Sequence, residues 1–574
     1  MKKGEGISKL IQKILMNRGL KTTNEMYDFL NPDYEKMKND PFLLSGMNRA
    51  VERIVLARKN NEKVTIYGDY DIDGMTATII LWESLRQFGL DVETYTPDRF
   101  TEGYGLNLKA IEKIANDGTK LIITVDNGTL SFDEIARAKE LGVDVIITDH
   151  HTPHAELPDA VAILNPKTLL IQNPEIYDEN LVKKKLSRKK IYPFADLAGC
   201  GVAFKLVQAL QTVFDEIPNG QEKWLLDLVA LGTVCDIVGL VDENRANVKW
   251  GLEVLKKTRR PGLKAILAIA GIDPENIDVR TLGFVIGPRL NSAGRMATAE
   301  IALELLKTDD NMRALELAQK LEDLNKKRRK VQDKIFTEAI AQISKKDKVA
   351  IAVGDDWHEG VIGIVASKIL EKFEKPAFVM SRGEKISKAS GRSFGQFSIV
   401  KTIHATKDFL IKGGGHPAAG GLTIESSRID DWRRAVQEFY LSQGLKNQKE
   451  FLYPKPDVIV DNFSEFTPEL FDEIIKLEPF GASNSAPVFE ISNALILSRH
   501  TMGANNEHVK YVFADQDERK FTAVAFGAAE KFTLTELDEN DEPQHIKILV
   551  ELIKNEWNGQ INIEGRLMRL DKIN

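Results

Sequence analysis

The stretch Val64–Gly89, VTIYGDYDIDGMTATIILWESLRQFG, reads as a β-branched strand, an acidic turn and a helix. The same pattern repeats downstream. VETYT (Val92–Thr96) precedes a helix around Leu106–Asp117, and LIITV (Leu121–Val125) runs into Asp126-Asn127-Gly128 and the helical SFDEIARAKELG. VDVIIT (Val143–Thr148) then runs into Asp149-His150-His151. AVAIL, just before Asn165-Pro166, reads as a further strand. Short strands alternating with helices predict βαβ units and a parallel sheet.

The acids sit at the strand ends. Asp69, Asp71 and Asp73 follow the first strand, Asp126 follows the third, and Asp149, His150 and His151 follow the fourth. In an open parallel sheet the carboxyl ends of the strands form the binding crevice, so three strand ends would deliver these groups to one edge. Like charges held a few ångström apart repel strongly, and divalent cations resolve that conflict. Asp236, after the apolar LLDLVALGTVC, is a further candidate ligand. Oxygen-rich ligands with one or two imidazoles and no thiolate favour Mn²⁺ or Mg²⁺. Two such ions ~4 Å apart suit phosphoryl transfer to water. Any single acid could be a helix N-cap or turn residue, and Asp149 alone would be read that way. The set as a whole would not.

Around this unit, 574 residues are too many for one core. We expect an N-terminal helical segment (1–45), a catalytic α/β domain (46–310), a connecting helix (311–345), a second α/β domain (346–445) beginning at KVAIAVG, and a β-barrel (455–574) resembling an OB-fold. Spaced short strands from VIVD to QINIEGRL, with Asn558-Gly559 as a hairpin turn, mark the last unit. A lysine-rich stretch over about 167–192 reads as an insertion or exposed loop. The chain is 43% hydrophobic and 28% charged, with a mean hydropathy of −0.24, so disordered and collagen-like classes are excluded. Its longest apolar run, Leu225–Val241, contains Asp227 and Asp236, and no membrane span or signal peptide is expected. Two cysteines, Cys200 and Cys235, exclude a disulfide framework, and the expected location is the cytoplasm. The net charge of −7 argues weakly against a nucleic-acid partner, but local basic clusters at Lys183–Lys190, Lys256–Arg260 and Lys326–Lys330 permit one.

There is no GxxxxGK[ST], which disfavours a P-loop ATPase. Gly413-Gly414-Gly415-His416-Pro417-Ala418 matches GxGxxA formally, but it follows no strong strand and its proline falls where a helix should open. A glycine-rich phosphate nest is the better reading.

GDYDIDG, VDNG and DHH together resemble the DHH phosphoesterase superfamily. Further blocks narrow the resemblance to its branch of single-strand-specific 5′→3′ DNA exonucleases: PDRFTEGYGLN (Pro97–Asn107), LAGCGVAFKL (Leu197–Leu206), LGTVCD (Leu231–Asp236), GPRLNSAGR (Gly287–Arg295), HEGVIGIVASK (His358–Lys368), SGRS (Ser390–Ser393), GGGHPAAGG (Gly413–Gly421) and LEPFGASNSAPVF (Leu477–Phe489). Each block is weak alone. Their ordered set covers nearly the whole chain. The resemblance implies a DHH domain, a connecting helix, a DHH-associated domain and an OB-fold around a channel for one strand. It implies Asp71, Asp73, Asp126, His150 and Asp236 as ligands of two Mn²⁺ or Mg²⁺ ions, with Asp69 a ligand or a contact behind them. His151 would meet the scissile phosphate and Asp149 would orient its neighbours. Arg99, Arg295, Ser390 and Arg392 would grip a 5′-phosphate or nearby backbone, with structural ion pairs the alternative for Arg99 and Arg295. Asn291, Gly414, Gly415 and His416 would face the substrate, and Tyr104 would stack on a base or simply pack. LEPFGASNSAPVF lacks the usual glycine and proline around Asn484, and the acidic Glu536–Glu542 stretch departs from a DNA-binding surface.

The activity implied is hydrolysis of single-stranded DNA from the 5′ end to mononucleotides in DNA repair and recombination. The implied partners are a single-strand-binding protein and a RecQ-type helicase, with the chain itself a monomer. The rivals are a DHH phosphodiesterase of short oligonucleotides or cyclic dinucleotides, an inorganic pyrophosphatase of the superfamily, and a non-catalytic single-strand-binding scaffold. The first two would not need a C-terminal barrel. The scaffold would have lost metal ligands that are all present here.

Overall fold

The computed structural model describes residues 7–168, 192–216, 218–446, 448–537, 542–557 and 560–573. The Lys183–Lys190 cluster, most of the lysine-rich stretch and Asn558-Gly559 lie outside these residues.

The first domain is built on β1 (Lys63–Tyr67), β2 (Asp91–Tyr95), β3 (Leu121–Val125), β4 (Asp144–Thr148) and β5 (Ala162–Leu164), all parallel in the order β2-β1-β3-β4-β5. β3 is buried along its whole length, as a central strand covered on both faces must be. One face packs under the Ile72–Gln87 helix, with Ile79 and Leu81 in the main core. The other packs under the helices carrying Ile111, Ile114 and Ile135. From β1 the chain moves outward to β2 and returns to β3 on the other side. The strand order therefore reverses between β1 and β3, which is where open α/β sheets bind ligands.

The 30-residue helix Asn311–Ile340 leaves this domain for the second. Ala314, Leu317 and Leu321 belong to the first core, while Ile335 and Ala339 belong to the second. The second sheet has the order β6-β7-β8-β10-β9, from β6 (Ala350–Asp355), β7 (Ala377–Arg382), β8 (Ile386–Arg392), β9 (Leu410–Gly415) and β10 (Ala419–Glu425). Here the glycine-rich stretch differs from the expected nest. Gly413–Gly415 end β9, and the chain turns at His416-Pro417 into β10. The reason is close approach. Gly415 has φ +143, and a Cβ there would sit 2.4 Å from the Ala419 carbonyl oxygen.

The third domain closes β12 (Val488–Met502), β13 (His508–Ala514), β14 (Lys520–Ala525), β16 (Gln560–Lys572) and β15 (His545–Trp557) into a five-stranded barrel through pairing of β12 with β15, and β11 (Val458–Val460) adds to β12. This is the OB-like barrel expected from the spaced strands. The N-terminal helices Lys9–Asn17 and Thr23–Leu30 bury Ile11, Ile14, Leu15, Met26 and Leu30 in the same core as the barrel. Arg18 ties them to it, pairing with Asp457 at 2.8 Å and donating to the Asn484 side-chain oxygen at 2.9 Å. Among the described residues no helix is long and apolar enough to cross a membrane.

Candidate active site

Four elements deliver the acids and histidines. After β1, Asp71 caps the Ile72–Gln87 helix by accepting from the Gly74 N–H at 3.1 Å, and Asp73 sits in its first turn. After β3, Asp126 adopts φ +60, a strained conformation for a residue other than glycine, and its N–H donates to the Thr148 carbonyl at 2.9 Å. After β4 come Asp149, His150 and His151. Asp236 caps the C-terminus of the Leu226–Cys235 helix. Their ligand atoms converge in three overlapping groups, each within 4.8 Å: Asp69, Asp71 and Asp126; Asp73, His150 and Asp236; Asp126, His150 and His151.

Asp73 is buried against the start of the Gly199–Leu210 helix, whose Gly199 and Cys200 N–H groups donate to it at 2.6 and 2.9 Å. Only glycine fits at 199, because a Cβ there would lie 2.8 Å from the Asp126 Cβ and 3.0 Å from Asp73 Oδ2. Burial, and after it the charge of its neighbours, pushes Asp69 and Asp126 well above the ordinary carboxylate range and Asp236 up to about 8. Burial also lowers His150 to about 4, so it is a neutral imidazole able to take a metal. Asp149 behaves differently. Burial would raise it, but hydrogen bonds from His151 at 2.8 Å and from the Thr129 N–H at 3.0 Å outweigh that and hold it below the usual range. Burial likewise opposes a charged His151, yet the Asp149 contact prevails and raises it. Asp149 also accepts from the His150 and His151 N–H groups, so it sets the shape of the turn.

The donor set fits divalent cations. Asp69 Oδ1, Asp126 Oδ1 and both ring nitrogens of His150 are buried without a hydrogen-bond partner. Buried polar atoms left orphaned in this way are costly, and an oxygen-rich site with one neutral imidazole matches Mn²⁺ or Mg²⁺.

Next to the acids lies the opposite charge. A cavity of ≈130 Å³ is lined by Asp71, Asp73 and Asp236 on one side and by Arg99, Asn291 and Arg295 on the other. Arg295 is lowered to about 10 by burial and then by Arg99, Arg328 and Arg392, and burial and Arg99 lower Arg392 too. Among the described residues none of these four arginines has a carboxylate within 4.0 Å, so the ion-pair alternative for Arg99 and Arg295 has no partner. Arg99 lies 5.0 Å from the Tyr70 ring centre. Arg392 donates to Ser390 at 3.0 Å. Tyr104 donates to the Asp126 carbonyl at 3.2 Å and lies 3.3 Å from a ring nitrogen of His151.

Among the described residues no hydrogen bond or ion pair joins His416, or Gly414 and Gly415, to the acids, although their hairpin pairs with the strand that carries Ser390 and Arg392. His416 lies exposed at the β9–β10 turn. Conversely, sequence reasoning missed an apolar continuation. A cavity of ≈420 Å³ shares Cys235, Asn291 and Arg295 with the first and runs on past Ile237, Phe284, Arg328 and Ile364 to Gly481 and Ala482 of the third domain. Ile237 is 75% exposed at φ +63, and Phe284 is 77% exposed on a π-helical turn, Leu282–Ile286. A β-branched residue in that conformation and a π-turn both concentrate at functional sites. No sequence signal marks either.

A parallel sheet with acids and a DHH triplet at its switch point, followed by a second α/β domain, defines a DHH-type phosphoesterase. The family model described as "DHH family, N-terminal domain" matches residues 63–233, and that of the DHHA1 domain matches 346–441. The RecJ OB domain matches 459–568. The single-stranded-DNA-specific exonuclease RecJ of Bacillus subtilis is 38% identical over 96% of this chain and 67% of its own length. RecJ from Thermus thermophilus, solved in complex with Mn²⁺, matches at a TM-score of 0.78 and 26% identity over 98% of this chain and 76% of that one. Its complex with Mg²⁺ matches at 0.75 and 24%, over 99% and 75%. The chain belongs to the RecJ family.

Proposed function

We propose that the chain is a metal-dependent exonuclease that removes 5′-mononucleotides from the 5′ end of single-stranded DNA. The observation that carries this reading is that Arg99 and Arg295, without a carboxylate partner among the described residues, share a cavity with the acids, with Arg328 and Arg392 close enough to Arg295 to add to its field. Cations held together without counter-charge form an anion site, and a small cavity suits a terminal phosphate.

Asp71, Asp73, Asp126, His150 and Asp236 would hold two Mn²⁺ or Mg²⁺ ions, with Asp126 between them and Asp69 a ligand or a contact behind. Bound there, the ions supply Lewis acidity and activate water for attack on phosphorus. His151, whose protonated form the Asp149 contact favours, would face the developing negative charge. Asp149 fixes the direction of the His151 ring. Arg99, Arg295 and Arg392, with Ser390, hold the terminal phosphate. Ile237 and Phe284 offer apolar surface to bases without reading their edges, so sequence preference should be weak. The same reading sets the protein in DNA repair and recombination in the cytoplasm, as a monomer working with a single-strand-binding protein and a RecQ-type helicase.

The test compares single-stranded and blunt duplex DNA, labelled at either end, beside a dinucleotide, all with Mn²⁺. Early mononucleotide release from the 5′ label on single strands alone is expected. Preference for the dinucleotide with long strands intact would overturn the reading in favour of a short-oligonucleotide phosphodiesterase.

A further inference from the structure

Arg245, on the Asp242–Lys256 helix of the first domain, is wholly buried. Burying a charge is expensive unless it is well paired, yet among the described residues no carboxylate lies within 4.0 Å of it. Its guanidinium is satisfied by backbone carbonyls from two distant parts of the chain. Nη1 donates to Leu477 at 2.8 Å, and Nη2 donates to Glu478 at 2.7 Å and Lys476 at 3.5 Å. Nη2 and Nε also reach the Phe29 carbonyl at 3.3 and 3.4 Å, and the Phe29 ring centre lies 4.0 Å away. Lys476–Glu478 directly follow the Pro468–Ile475 helix, whose last carbonyls carry the negative end of its dipole. One planar fork therefore joins the catalytic domain, the N-terminal helices and the lead-in to the barrel.

The loop gripped by Arg245 continues to the active-site side. The Leu240 N–H, four residues beyond Asp236, donates to the Ala482 carbonyl at 2.8 Å. Gly481 and Ala482 wall the apolar cavity that opens onto Arg295. Asn484 holds the loop's own shape, donating to the Leu477 and Pro479 carbonyls at 3.0 and 2.8 Å.

We propose that Arg245 is a positioning residue that latches the third domain and the N-terminal helices onto the catalytic domain, so that the Leu477–Asn484 loop stays as the outer wall of the strand cleft. Retention of a long strand between successive hydrolyses depends on this latch, while a single hydrolysis of a short substrate does not. The role rests on the exonuclease reading above.

The test uses the full chain with Mn²⁺ and two variants, Arg245→Gln and Asn484→Ala. The second removes the donor to the Leu477 and Pro479 carbonyls and so loosens the same loop while leaving Arg245 itself in place, and it carries the test if the first fails to fold. Nucleotides released per encounter are counted on a long 5′-phosphorylated strand with excess unlabelled trap DNA, beside turnover of a dinucleotide. Separating two linked binding surfaces should cut release per encounter about tenfold or more, with dinucleotide turnover within about twofold of the parent. Equal losses on both substrates would mean that Arg245 supports only the catalytic fold, and the latch is overturned. Unchanged release per encounter in folded variants overturns it as well. A parent chain that cleaves the dinucleotide but never runs along a strand overturns the exonuclease reading, and the retention role falls with it.

Discussion

His150 Nε2 lies 3.1 Å from Asp126 Oδ1, yet neither atom is in a hydrogen bond, and the same nitrogen is 3.6 Å from Asp236 and 3.8 Å from Asp73. Three carboxylates and one imidazole thus aim at common points instead of at one another. That is the geometry of ligands waiting on a cation. Replacing Asp126 by Ala should lower kcat by at least about 10²–10³-fold, as loss of a directly acting group at a phosphoryl centre does. Single-strand binding measured in Ca²⁺ should survive. Substantial residual turnover would remove Asp126 from the bridging position.

Asp149 acts through His151. It is buried, it takes four hydrogen bonds, and one of them is the 2.8 Å contact to the His151 ring. Asp149→Asn keeps one oxygen to accept the His150 and His151 N–H groups, gives up the acceptor for the Thr129 N–H, and loses the charge that raises His151. The expected loss in kcat is about 10–100-fold, with KM little changed, and the limb of the pH–rate profile that needs protonated His151 should move to lower pH. An unaltered profile would assign Asp149 to the turn alone.

Metal removal should make the protein sensitive to alkali. Asp236 is pushed up to about 8 in the folded protein and titrates near 3.8 when unfolded, so the folded state binds the extra proton between these values. Stability from this source is complete below about pH 4 and is lost as pH rises toward 8. Thermal melting in EDTA should therefore show the first transition falling between pH 6 and 8. Mn²⁺ should restore it most at the higher pH. A metal-free transition that rises over this window would contradict the burial argument.

Much of this site was legible in the sequence, and the reason is local. Asp69, Asp71, Asp73, Asp126 and the triplet follow recognisable strands, and a strand end dictates where a side chain is delivered. Asp236 was legible by its place at the end of a long apolar run, although that run is a helix and not a strand. What escaped depends on contacts made across the fold. An exposed Phe284 looks like any phenylalanine in sequence, and the positive φ of Ile237 leaves no compositional trace. Arg245 is one arginine among many until Phe29 and Leu477 are brought to it. The N-terminal helices show which of their faces is apolar but not that the barrel, more than 400 residues away, covers it. The glycine-rich stretch misled because glycine permits both a nest and a close-paired hairpin.

Ile237 and Phe284 should separate stability from function. A non-glycine residue in the left-handed region costs about 1–2 kcal/mol, so Ile237→Gly should melt at or above the parent temperature. It removes apolar surface from the cleft at the same time, and KM on long strands should rise. Phe284→Ala, at a side chain 77% exposed, should leave melting unchanged and also raise KM. The dinucleotide should be cleaved by both as by the parent. Loss of stability in either would mean that these side chains pack instead of meeting the strand.

Arg392 and Ser390 should decide how the enzyme reads a strand end. Arg392 donates to Ser390 at 3.0 Å, lies close enough to Arg99 and Arg295 to share their field, and has no carboxylate to neutralise it. A hydrogen bond to a charged group contributes about 1.5–3 kcal/mol, which converts to roughly 10–100-fold in kcat/KM. Arg392→Ala should lose that factor on 5′-phosphorylated single strands and little on 5′-hydroxyl strands, so the preference between the two collapses. Because the contact is to phosphate and not to a base, the loss should be the same for every sequence, and the salt dependence of binding should become shallower by about one unit of slope. A variant that keeps its preference for the phosphorylated end would move the anion site off β8, leaving Arg99 and Arg295 to hold the terminal phosphate from the catalytic domain alone.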